Sequence, residues 1–124
     1  VAPVIPGVND AMIPEVLERA HAAGATRAGM VLLRLPREVL PVFDERLEQV
    51  MPSRAAKVRS AIRQMRGGKM NDATFGSRMR GDGPRWEVVE QLFATTCARL
   101  GLNASPREEA PSRFVRPTAQ LSLF

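Results

Sequence analysis

The sequence predicts an α/β fold, with two parallel strands and crossover helices followed by a helical basic cap and a flexible tail. Three observations predict it. Apolar runs at residues 1–5 and 28–35 are each followed by apolar residues at helical spacing. The second run is nearly continuous, as in a strand covered on both faces. Strand, helix, strand, helix in that order implies a right-handed crossover. The expected organisation is residues 1–52 as the last βαβα units of an incomplete barrel, 53–102 as the cap, and 103–124 as the tail.

The elements follow in order. Residues 1–5 form an apolar run ended by Pro6-Gly7. Asn9 or Asp10 caps a first helix carrying Ile13, Val16, Leu17 and Ala20, with Gly24 as its stop. The strand at 28–35 ends at Pro36. A second helix presents Val39, Leu40, Phe43, Leu47 and Val50, and Met51-Pro52 breaks it. Ser53 caps a third helix, basic outside, with Val58, Ile62 and Met65 inside. Residues 67–84 hold five glycines and form a loop that Met70, Phe75 and Met79 could anchor. A last helix from about 84 to 100 turns Trp86, Val89, Phe93 and Leu100 inward and stops at Gly101. Two parallel strands leave their outer edges unsatisfied. They either pair with another chain or form the C-terminal piece of a larger α/β barrel.

The chain of 124 residues carries a net charge of +5, concentrated in one third of its length. Between residues 53 and 85, Arg54, Lys57, Arg59, Arg63, Arg66, Lys69, Arg78, Arg80 and Arg85 face only Asp72 and Asp82. Such clustering suits phosphate partners, and Arg54, Lys57, Arg63, Arg66, Lys69, Arg78 and Arg80 are the candidate nucleic-acid contacts. A solvated basic face is the alternative. Trp86 is the only tryptophan and tyrosine is absent, so base stacking is not expected to dominate. No apolar run approaches the roughly 20 residues of a membrane span. The start lacks a signal-peptide pattern, and the single cysteine, Cys97, suits the reducing cytosol, so a cytoplasmic location is expected. His21 and Cys97 are singletons without a third orienting group. Gly67-Gly68-Lys69 lacks the flanking spacing of a phosphate loop.

The last five residues, Gln120-Leu121-Ser122-Leu123-Phe124, resemble the pentapeptide that bacterial DNA polymerases and repair proteins insert into the sliding clamp. Gln120 would fix register, and Leu121, Leu123 and Phe124 would fill apolar subsites. The alternative is that these hydrophobes fold back onto the domain.

Four segments, in order, carry a further resemblance. They are Pro3-Val4-Ile5-Pro6-Gly7-Val8-Asn9-Asp10, Val31-Leu32-Leu33-Arg34-Leu35-Pro36, Ile62-Arg63-Gln64-Met65-Arg66-Gly67-Gly68-Lys69 and Phe75-Gly76-Ser77-Arg78-Met79-Arg80-Gly81. They resemble the C-terminal part of bacterial radical S-adenosylmethionine proteins of the spore photoproduct lyase-like, DNA repair photolyase group. The resemblance implies a partial TIM-type barrel, S-adenosylmethionine and a [4Fe–4S] cluster in a parent lyase-type enzyme acting on nucleic acid. It also implies that Ile5, Pro6, Gly7, Asn9 and Asp10 line the cofactor, and that Arg34 holds a carboxylate or phosphate. A turn with a helix cap, and a structural ion pair for Arg34, are the plain alternatives. The family holds its cluster through three close cysteines, whereas Cys97 stands alone, so no cluster is expected on this chain by itself. The expected function is a non-catalytic C-terminal segment of such an enzyme, completed by a missing N-terminal barrel portion. The alternative is a DNA-associated adaptor that binds the sliding clamp.

Overall fold

A computed structural model of the protein describes residues 1–105. Four helices dominate them: α1 (Ile13–Ala22), α2 (Val39–Val50), α3 (Pro52–Gln64) and α4 (Pro84–Leu100). The expected α/β barrel segment does not form. Among the described residues there is no strand, and the two extended segments share a single isolated parallel bridge, Val4 with Leu32.

The reason lies in how the edges are satisfied. Val4 N–H donates to Val31 O at 2.8 Å, and Leu33 N–H donates to Val4 O at 2.9 Å. Pro3 and Pro6 have no N–H to continue the ladder. On the outer edge, the Asn9 side-chain amide takes the place of a neighbouring strand. Its Oδ1 accepts from Ile5 N–H at 2.7 Å, and its Nδ2 donates to Pro3 O at 3.0 Å. Asn103 does the same at Ala28, bonding both its N–H and its carbonyl at 3.0 Å. Leu32 N–H donates to Met79 O, and Leu35 N–H donates to Asn71 Oδ1. Asparagine amides and one loop carbonyl therefore meet needs that had pointed to further strands.

Helices cover the 28–35 segment on both faces. Leu32 joins Val4, Ile13, Leu17, Met65, Trp86, Val89, Cys97 and Leu102 in one cluster, where α1 packs on α4. Leu33 and Leu35 point the other way, onto Leu47, Ala55, Val58 and Ile62, where α2 packs on α3. The alternation is the period-two geometry of an extended chain. Residues on both sides of position 52 build both clusters.

The helix ends follow glycine and proline. Pro14, Pro52 and Pro84 lie in first turns, where the missing N–H costs nothing. Gly101 adopts φ +68°, and Leu102 N–H donates to Cys97 O, closing α4 with a left-handed cap. The expected caps differ. Ser53 lies inside α3, whose cap position is Met51, and Asn9 turns back to the extended segment instead. Val16, read with the apolar residues of α1, and Val39 and Val50, read on one face of α2, are exposed.

Gly81 marks the tightest packing of the loop on α4. A Cβ there would lie 2.7 Å from Cγ and Cδ2 of the Trp86 ring. Gly81→Ala is expected to destabilise the protein by about 1–3 kcal/mol in urea unfolding. Unchanged stability would mean that Trp86 has room to move aside.

Candidate nucleic-acid interface

α3 carries four cations and no acid: Arg54, Lys57, Arg59 and Arg63. Its apolar arc, Ala55, Val58, Ala61 and Ile62, is buried, which turns the opposite arc to solvent. At about 100° per residue, Arg63, Ser60, Gln64 and Lys57 sweep that outer arc in order, while Arg54 stands in the first turn, past Ala61. Those four and Arg54 are exposed. Two cations are already engaged. Arg59 is held by Asp44 and Glu48 of α2 at 2.5 and 2.6 Å, and those hydrogen bonds raise its pKa. Arg54 donates to Gly7 O. Lys57 and Arg63 have no ion-pair partner among the described residues.

Beyond α3, Gly67 and Gly68 adopt φ +58° and +86°, conformations open to glycine, and reverse the chain. Gly68 N–H donates to Arg63 O, so Lys69 follows directly on the helix end. The turn and the returning loop enclose an open cleft of about 640 Å³. Lys69, Arg66 and Arg80 line it, together with Asp72 and Asp82. Three cations face two acids, so the cleft keeps a net positive charge. Asp72 is engaged locally. It accepts from Ser77 Oγ at 2.6 Å and Thr74 N–H at 2.9 Å, and these bonds hold its pKa down to about 2.

Arg66 was expected at a nucleic-acid contact, but it is 6% exposed and serves as an internal clamp. Its guanidinium donates to Leu33 O at 2.8 Å, Arg78 O at 3.0 Å and Arg80 O at 3.1 Å. No carboxylate pairs with it among the described residues, and burial lowers its pKa. It fastens the loop to the 28–35 segment. Arg78 is partly buried, with its guanidinium 5.3 Å from the centre of the Phe75 ring. Arg80 is exposed at the cleft.

Sequence reasoning gave Phe75 and Met79 an anchoring role. Instead Phe75 is 87% exposed and Met79 is 45% exposed, while Met70 packs on the second cluster. The exposure of Phe75 was not foreseen. The local signal was available: Thr74, Gly76 and Ser77 around it offer no apolar partner at helical or strand spacing.

Of the residues carried over from the family resemblance, all but Arg34 are engaged within the chain. Asn9 bonds Pro3 and Ile5, while Asp10 accepts from Gly7 N–H at 3.0 Å and lies 3.9 Å from Arg85. Pro6 is buried, Ile5 and Gly7 are half-buried, and Arg34 is exposed. The donor set does not fit an iron–sulfur cluster. Cys97 is the only thiol, it is buried, and burial pushes its pKa up. His21 is exposed, and no group of three or more metal-ligating side chains occurs among the described residues. No helix among them is long and apolar enough to cross a membrane. Gln120, Leu121, Leu123 and Phe124 lie outside the described residues.

No protein-family model, curated protein or solved structure matches this chain.

Proposed function

We propose that this chain is a nucleic-acid-binding element that holds the phosphate backbone and performs no chemistry by itself. One observation carries the reading: Lys57, Arg63, Lys69 and Arg80 are exposed, lack ion-pair partners among the described residues, and lie along α3 and the loop that returns from it. On the outer arc between Lys57 and Arg63 stand only Ser60 and Gln64, both uncharged, so nothing there repels an approaching phosphate. Lys and Arg at such positions displace condensed counterions from nucleic acid. That favours binding without reading sequence.

The proposed role is the same in both settings suggested by the sequence. Beside a cluster-bearing radical S-adenosylmethionine segment, this surface would hold the nucleic acid on which the parent acts. As an adaptor, it would do so while the terminal pentapeptide engages a sliding clamp, a part that rests on that motif alone.

The test is fluorescence anisotropy of a labelled random-sequence duplex titrated with the full chain at about 150 mM salt. Binding is expected with a Kd of about 1–100 µM, the range of non-specific contacts. No change in anisotropy across that range would overturn the reading.

A further inference from the structure

We infer that Phe75 is a stacking platform for an unpaired base, with the adjoining phosphates on Lys69 and Arg80. This rests on the phosphate-binding reading and adds a preference for single-stranded nucleic acid. An exposed phenyl ring by itself is ordinary. This one stands on a loop that is fastened at many points.

Asp72 accepts from Thr74 N–H and Ser77 Oγ, Arg78 N–H donates to Thr74 O, and Arg80 N–H donates to Ser77 O. Arg66 holds the carbonyls of Arg78 and Arg80 from inside, and Leu32 N–H holds that of Met79. The loop thus presents the ring outward, 87% exposed, with little left to order on binding.

The surroundings select the occupant. Arg78 sits over the Phe75 ring at 5.3 Å, and Lys69 and Arg80 are exposed beside the adjacent cleft. A flat π-surface beside a cleft of net positive charge matches a base on a polyanionic strand. Every base has a π-face, so the contact tolerates sequence. In a duplex the base faces are stacked on one another, so the ring has nothing to receive. Thr74 and Gly76, on either side of Phe75, line the cleft, whose volume of about 640 Å³ leaves room for the phosphates of a strand stacked on the ring.

The experiment compares a labelled oligothymidylate with its duplex, using the full chain and Phe75→Ala, Phe75→Leu and Phe75→Trp. Thermal melting of each variant checks that it is folded. The wild type is expected to favour the single strand. Phe75→Ala and Phe75→Leu should weaken single-strand binding by about tenfold and leave duplex binding unchanged. Phe75→Trp should retain affinity, and its new exposed indole should be quenched by the strand, above the constant signal of buried Trp86. Equal single-strand affinity of the wild type and Phe75→Ala overturns the stacking inference. If salt-dependent duplex binding persists in that case, the phosphate-binding reading stands alone. Binding to neither oligonucleotide overturns both. Loss in Phe75→Ala with full retention in Phe75→Leu would identify a plain apolar contact and also overturn it.

Discussion

Replacing Arg66 with alanine is expected to cost on the order of 3–5 kcal/mol, a large share of the stability of a domain this size. The guanidinium bonds three carbonyls, those of Leu33, Arg78 and Arg80, from a position 6% exposed. Removing it orphans all three and opens a cavity beside Met65, which is itself fully buried. Each unsatisfied group costs about 1–3 kcal/mol where water cannot reach it. Water entering the open cleft would satisfy some of them, which keeps the total below the simple sum. Arg66→Lys should recover only part of the loss, because a point ammonium cannot span the planar fork. Equilibrium urea unfolding measures both. Alanine within 1 kcal/mol of wild type would contradict the clamp role.

The second large effect is on binding. Reversing three exposed cations, with Arg63→Glu, Lys69→Glu and Arg80→Glu together, is expected to lower duplex affinity by at least about a hundredfold. The change removes three attractive phosphate contacts and introduces three repulsive ones. Stability should hold, because all three side chains are exposed and unpaired among the described residues. The control reverses Arg19 of α1 and Arg99 of α4, which pair with Glu15 and Glu18, both of α1. That variant should bind within a few-fold of wild type. If it fails as badly as the first, net charge alone drives association and the surface has no special role.

The four helices were legible in the sequence because proline and glycine punctuate them and their apolar residues recur at helical spacing. The two-sided cover of the 28–35 segment was legible too, in its unbroken apolar run. The barrel was not there to be read. Its case rested on unsatisfied strand edges, and Asn9, Asn71 and Asn103 satisfy edge positions with side-chain amides that copy a peptide group. No periodicity marks an asparagine for that task. A basic run hid the burial of Arg66, although the helical phase hinted at it. Continuing α3 at about 100° per residue puts position 66 beside Ala55 on the buried arc. Distance along the chain concealed the rest, since the clamp joins Arg66 to carbonyls 12, 14 and 33 positions away. The exposed residues Lys57, Arg63, Lys69 and Arg80 were legible as a charge cluster. Which of the other cations were already engaged was not, because Arg59 finds its partners on α2 and Arg54 finds Gly7.

The most direct test of phosphate-backbone binding is the salt dependence of duplex affinity for the full chain, read by anisotropy between about 50 and 200 mM salt. Four contacting cations, Lys57, Arg63, Lys69 and Arg80, predict a linear fall of log affinity with log salt, with a slope of about −3 to −4. The triple reversal should flatten that slope toward −1 or abolish binding. A wild-type slope near zero would contradict the account, because binding that ignores salt does not come from phosphates.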